Sequence, residues 1–173
     1  MTEFDISQVK ILIVEDNLHF RTLMRTILQA LGVEIVEEAR DGAEAMEVLA
    51  SFEADLAIID WKMDGVDGVE CVRRIRNGED NVNKFLPIIM VTGYTDESLA
   101  KEARNAGVND FLSKPISAKS LLSRIKSVIS EDRPFVESGE YFGPDRRRQD
   151  REYDGADKRV VMAKIVSPDV RSN

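Results

Sequence analysis

Five short apolar runs, each followed by a stretch of helical periodicity, recur through the first 130 residues of this 173-residue chain. That alternation restricts the fold more than any other feature. Lys10–Val14 reads as the first strand and ends in the acidic pair Glu15-Asp16. Residues 18–31 place Phe20, Leu23, Ile27, Leu28 and Leu31 at helical spacing, and Gly32 follows where a helix C-terminus takes a left-handed residue. Residues 33–37 form a shorter β-branched strand, and 42–50 a helix with Ala45, Met46 and Leu49 on one side. Leu56–Asp60 is an apolar strand ending in a carboxylate, followed by a helix over 69–76. A fourth strand spans 86–92, a helix covers Glu97–Ala106, and a fifth strand spans 108–112. Leu121, Leu122, Ile125, Val128 and Ile129 mark the inner face of a last helix.

Strands that are apolar throughout, rather than alternating, belong to parallel sheets covered on both faces. The sequence therefore predicts an α/β fold, a five-stranded parallel sheet in a (βα)5 sandwich over residues 1–130. Beyond it, Pro134, Gly139, Gly143 and Pro144 crowd together, and the charge balance changes. Residues 1–130 carry 22 acidic and 15 basic side chains, residues 131–173 ten and nine. Residues 131–173 thus read as a largely irregular, arginine-containing C-terminal extension.

Composition removes several function classes. One cysteine (Cys71) excludes a disulfide framework and a multi-cysteine zinc site, and one histidine (His19) excludes a His-rich metal centre. No apolar run approaches the roughly 20 residues that span a bilayer, and the acidic start MTEFDISQ is no signal peptide, so the expectation is a cytoplasmic protein without membrane insertion. A net charge of −8 argues against general nucleic-acid binding.

In open α/β sheets, ligands bind beyond the carboxyl ends of the strands. Those ends carry Glu15-Asp16, Asp60, Thr92 and Lys114. Taken singly, an acid pair is a turn with a helix cap, Thr92-Gly93 is a turn, and Lys114-Pro115 a loop before a helix. Their joint arrival on strands one, three, four and five is what points to a site. Converging carboxylates repel one another unless a cation joins them, and an all-oxygen donor set suits Mg²⁺. With Lys114 as a point charge and Thr92 as a hydroxyl donor, the set fits phosphoryl transfer to Asp60 as nucleophile.

The ordered motifs VEDN (14–17), IIDWKMDGVDG (58–68), VTGY (91–94) and FLSKP (111–115) resemble the receiver domain of two-component response regulators, the flavodoxin/CheY-like fold, over about residues 8–130. The resemblance implies a stand-alone response regulator of phosphorelay signalling rather than an enzyme. Asp60 would be the phosphoacceptor, Thr92 the switch hydroxyl, Phe111 the aromatic switch and Lys114 the phosphate-binding lysine. Glu15, Asp16, Asp60 and the backbone carbonyl of Lys62 would form the Mg²⁺ site, and the Lys114-Pro115 bond would be cis. A sensor histidine kinase or phosphotransfer protein would supply the phosphoryl group. A downstream protein would read the surface of the fourth helix, fifth strand and fifth helix. Two departures stand out. The family usually has proline where Asp64 stands, which implies a looser, more acidic loop, and Phe111 replaces a common tyrosine. The competing enzyme class, haloacid-dehalogenase-type phosphatases, needs a second carboxylate two residues after the nucleophile, a position held here by Lys62.

The extension is too short and polar for a DNA-binding output domain. Within EYFGPDRRRQDRE (140–152), Tyr141-Phe142 suits docking on the receiver or a partner. Arg146, Arg147, Arg148, Asp150 and Arg151 are similar to the arginine-rich extensions of CheY-like proteins that bind cyclic di-GMP, arginines clamping phosphates and guanine edges. The alternatives are a protein-docking segment and a solvated, disordered one. The apolar run over 160–166 suits a strand or short helix. His19 reads as a surface residue, Cys71 as an apolar packer, and Trp61 as a partly packed loop residue.

Overall fold

The computed structural model describes residues 5–93, 97–131, 133–146 and 164–167. The order is β1 (Lys10–Val14), α1 (Leu18–Ala30), β2 (Ile35–Ala39), α2 (Gly42–Leu49), β3 (Leu56–Asp60), α3 (Gly68–Asn77), β4 (Ile88–Thr92), α4 (Glu97–Ala106), β5 (Asp110–Ser113) and α5 (Ala118–Ser130). The five strands form one parallel sheet in the order β2-β1-β3-β4-β5, the expected α/β architecture. Successive residues of each central strand enter opposite cores. Leu12, Val14, Ala57, Ile59, Ile88 and Met90 join the core under α2, α3 and α4, whereas Ile11, Ile13, Ile58, Ile89 and Val91 join the one under α1 and α5. Burial on both faces is why these strands carry no polar alternation.

Capping side chains set the helix starts: Asn17 accepts from the Phe20 N–H, Asp41 from Ala43 and Glu44, Asp67 from Glu70, and Ser117 from Ser120. Strand boundaries differ from the periodicity for local reasons. The Val33 N–H still closes the end of α1 on the Leu28 carbonyl, so β2 begins at Ile35 rather than 33. Pro87 has no N–H to donate, and β4 begins at Ile88. The Val108 N–H returns to Ala103 at the end of α4, which delays β5 to Asp110. On α1 the buried stripe is Arg21, Met24 and Leu28, while Leu23 is 47% exposed. His19 is exposed, and Cys71 is fully buried with burial pushing its thiol up to about 12.

The extension, expected to be largely irregular, contains three short strands among its described residues. They are β6 (Phe135–Ser138), β7 (Tyr141–Pro144) and β8 (Lys164–Val166), an antiparallel sheet ordered β7-β6-β8. The physical reason is an aromatic cluster that sequence spacing hides. Phe135 and Phe142 each meet Phe85, which precedes β4, at centroid distances of 5.3 and 5.4 Å with edge-on geometry. Beneath them Arg76, 3% exposed, donates to the carbonyls of Gly107, Lys84 and Leu86 and to Asn109 Oδ1, with the Phe135 ring 5.1 Å from its guanidinium. Gly107 has φ +103°, and a Cβ there would lie 2.7 Å from the Phe142 carbonyl oxygen, so β7 approaches the end of α4 backbone to backbone. Of the apolar run over 160–166, Lys164–Val166 forms a strand and 160–163 lies outside the described residues.

Because Phe135 closes both the ring cluster and the buried guanidinium, Phe135→Ala should destabilise the protein by about 3 kcal/mol. Urea unfolding followed by circular dichroism measures this, and a loss under about 1 kcal/mol would show that the extension does not seal the base of the sheet.

Candidate functional site

The in-register parallel pairing decides which residues meet at the carboxyl edge. Val14 pairs with Ile59, Asp60 with Val91 and Thr92 with Ser113, so Glu15, Asp16, Asp60, Thr92 and Lys114 emerge together. Main-chain bonds continue past the strands: Trp61 N–H donates to the Val91 carbonyl at 2.9 Å and Lys114 N–H to the Thr92 carbonyl at 2.9 Å. The Lys114-Pro115 bond is cis, as the resemblance implies.

Each acid sits in a different environment. Glu15 is 1% exposed and Asp60 4%, while Asp16 is exposed. Lys114 Nζ lies 2.9 Å from Asp60 Oδ1 and 3.5 Å from Glu15 Oε2, with the Phe20 ring 4.1 Å from the same ammonium. The longer distance is one of ion pairing only, and buried Glu15 Oε2 has no hydrogen-bond partner. Burial pushes the Glu15 carboxyl up to about 7, opposed by the Asn17 N–H and reinforced by the charge of Asp60. Burial also raises Asp60, and Lys114 only partly offsets it. Burial would lower Lys114, but its bond to Asp60 and the two facing carboxylates hold it above the ordinary lysine value. Asp16 is also pushed up by its partial burial, yet main-chain N–H donors, Asp64 foremost, bring it below the usual range.

Lys114 thus pairs with two of the three carboxylates, Asp60 and Glu15. Glu15, Asp16 and Asp60 each offer one oxygen within 4.8 Å of the others, and one buried oxygen lacks a partner. Hard oxygen donors are the donor set Mg²⁺ takes, so the residues fit that ion. Lys62 follows in the next loop, its main-chain N–H donating to the Asp60 carboxylate. Two clefts of about 580 and 490 Å³ border the extension sheet at the opposite edge and include none of these acids.

The aromatic residue of β5, Phe111, is half-buried against the core, with the Arg104 guanidinium 5.5 Å from its ring. Trp61 is likewise half-buried. Of the arginine group, Arg146 is described: exposed, donating to Asn105 Oδ1 at 2.7 Å and stacked 4.0 Å over Tyr141. Arg147, Arg148, Asp150 and Arg151 lie outside the described residues.

Sequence reasoning missed two supports. Arg21 reaches from α1 to the Glu15 carbonyl at 2.6 Å and to Glu38 on β2 at 3.1 Å, with Arg25 on the same glutamate. The signal was an arginine in register with Met24 and Leu28, on the buried stripe. Asp64 is the other. Read as a loosening departure, it instead ties its loop to the acid pair, its N–H donating to Asp16 Oδ2 at 3.1 Å. No sequence signal marks that bond beyond the absence of proline.

Residues 11–126 match the family described as the response regulator receiver domain. The chain is 36% identical over 121 residues to the chemotaxis protein CheY of Pseudomonas aeruginosa, covering 70% of this chain and 96% of that one. It is 33% identical over 121 residues to CheY-3 of Vibrio cholerae serotype O1, covering 70% and 92%. Among solved structures, Vibrio cholerae CheY4 superposes with a TM-score of 0.65 at 32% identity, covering 69% and 98%. The receiver domain of the sensor histidine kinase PA1611 from Pseudomonas aeruginosa PAO1, which has a magnesium ion coordinated in its active-site cleft, superposes at 0.64 and 28% identity, covering 71% and 98%.

The raised Glu15 value has a signed consequence. A carboxyl whose folded value exceeds its unfolded one favours the fold below about 4.5, and that contribution is lost as pH rises through about 7. Glu15→Gln, which stays neutral, should therefore raise the melting temperature of the metal-free protein at pH 8 by several degrees and leave it nearly unchanged at pH 4.5. Equal melting temperatures at pH 8 would show that Glu15 carries no such strain.

Proposed function

The chain belongs to the response regulator receiver family, and from that membership we propose that it is a phosphorelay switch phosphorylated on Asp60. The observation that carries the reading is the 2.9 Å contact of Lys114 Nζ with Asp60 Oδ1 inside the three-carboxylate cluster. In the proposed reaction an Asp60 oxygen attacks the phosphorus of a phosphohistidine on a sensor kinase or phosphotransfer protein. The new O–P bond forms as the P–N bond breaks, and the departing imidazole keeps the electron pair. Glu15, Asp16, Asp60 and the Lys62 carbonyl would hold Mg²⁺, whose bound charge neutralises the transferring phosphoryl oxygens. Lys114 moves from a carboxylate partner to a phosphoryl partner without leaving the site. Thr92, at the end of β4, donates its hydroxyl to the new oxygens.

Phosphorylation raises the charge at residue 60 from one negative to nearly two and adds acceptor oxygens. Movement of Thr92 toward them shifts the chain after β4, and Phe111 repacks with Arg104. The surface of α4, β5 and α5 then differs between two packings, and a downstream protein binds one of them better. The output is binding rather than turnover. A phosphatase of the haloacid-dehalogenase type would carry an acid where this chain has Lys62. No helix among the described residues is long and apolar enough to cross a membrane, and a cytoplasmic location accords with the proposed kinase partner.

For the extension, docking of Phe135 and Phe142 on the receiver base supports a segment held by its own domain. Arg146 on Asn105 brings the start of the arginine run beside α4. We propose that the run takes an anionic dinucleotide there, cyclic di-GMP being the candidate that its spacing matches.

Two measurements check these readings. Beryllium fluoride with Mg²⁺ should shift the nuclear magnetic resonances of Thr92, Phe111 and Lys114 in the wild type and leave them in place in Asp60→Asn. Unmoved wild-type resonances would overturn the switch. Calorimetric titration with cyclic di-GMP should show micromolar binding that Arg147→Ala/Arg148→Ala abolishes. Absence of wild-type binding at millimolar ligand would end the dinucleotide reading.

A further inference from the structure

The loop between β3 and α3 is held at nearly every residue. The Gly68 N–H donates back to the Trp61 carbonyl at 2.9 Å, and a Cβ on Gly68 would lie 2.2 Å from the Asp60 carbonyl oxygen. Val66 accepts from the Gly42 N–H at 3.0 Å, where a Cβ on Gly42 would lie 2.6 Å from Val66 Cγ1. Met63 is buried against the core, and Gly65 makes the turn with φ +82°. From this fixed loop, alternate main-chain N–H groups reach the acids, that of Lys62 to the Asp60 carboxylate and that of Asp64 to Asp16 Oδ2 at 3.1 Å.

The three carboxylates differ in how they are oriented. Glu15 is locked by burial and by the Asn17 N–H on Oε1 at 3.0 Å, and Asp60 by burial and Lys114. Asp16 is exposed, and its carboxylate is held by the Glu15 side chain and by main-chain N–H groups, that of Asp64 foremost. In the orientation that puts one of its oxygens within 4.8 Å of those of Glu15 and Asp60, Oδ2 accepts from Asp64. An outer donor that orients a ligating carboxylate is as much part of a metal site as the ligand. A proline at this position would have no hydrogen to offer.

We propose that the main-chain N–H of Asp64 is a positioning donor that presets Asp16 for a divalent cation, so that residue 64 tunes Mg²⁺ affinity through its backbone. This rests on the Mg²⁺ reading of the acid cluster given above. The carboxylate of Asp64 is incidental to it.

Calorimetric titration of the full chain with Mg²⁺ alone separates backbone from side chain. Asp64→Ala, which keeps the N–H and loses the carboxylate, is the reference for Asp64→Pro, which loses both. The expected result is binding roughly tenfold weaker in Asp64→Pro than in Asp64→Ala, at similar melting temperature. Equal affinities of the two variants overturn the proposal while leaving the Mg²⁺ site standing. If the wild type itself takes up no Mg²⁺, the reading of the acid cluster fails, and this proposal falls with it. A second readout needs no variant and no metal. Amide hydrogen exchange of Asp64 in the metal-free wild type should be slowed at least tenfold relative to an unstructured amide, and exchange at the unstructured rate overturns the proposal even if Asp64→Pro does not fold.

Discussion

Electrostatic repulsion among carboxylates gathered at the carboxyl edge of the sheet is the constraint around which this molecule is built. Glu15 and Asp60 are almost wholly removed from water, Asp16 lies beside them, and Lys114 pairs with the two buried acids. Isolated from the rest, such a cluster would fly apart or protonate. It persists because β1 and β3 are pinned side by side by apolar residues buried on both faces, so the acids have no freedom to separate. The core stabilises the fold enough to hold a site that opposes it, and that opposition is what the proposed cation and phosphoryl group would act upon.

The surrounding devices serve that edge. Arg21 ties the carbonyl of Glu15 to Glu38 on β2, fixing the turn that carries the acid pair. The β3–α3 loop is closed by glycine contacts too tight for any side chain, and its N–H groups point at carboxylates. At the opposite edge the chemistry is inverted. Arg76 is buried with four oxygen partners under aromatic rings, a cation satisfied by carbonyls and an amide rather than by an acid. Its ordinary value is depressed to about 9 by burial, which the hydrogen bonds make tolerable. Helix α4 spans the two edges. Its neighbouring residues Arg104 and Asn105 meet Phe111 on one side and Arg146 of the extension on the other.

Much of this was legible in the chain. The apolar runs over Lys10–Val14 and Leu56–Asp60 fall where the strands do, because a strand buried on both faces can tolerate little else. Glu15, Asp16, Asp60, Thr92 and Lys114 were recognisable because each terminates an apolar run, and parallel strands bring such termini to one edge. Errors arose where a local contact outweighed periodicity. Leu23 has the spacing of an inner residue yet faces out, since the stripe is rotated to bring Arg21 to the Glu15 carbonyl. Asp64 was read by what it lacks, a proline ring, and not by the hydrogen bond that its N–H makes.

What the sequence determined by itself was the fold class and which residue types stand at the rim, for both follow from residue type and strand periodicity along the chain. Tertiary structure alone decided the burial of Glu15 and Asp60, the donors that aim each carboxylate, and the docking of the extension. Those depend on burial and on contacts between residues far apart, such as Phe85 with Phe135 and Asp16 with Asp64, and a one-dimensional pattern carries neither distance nor solvent exposure.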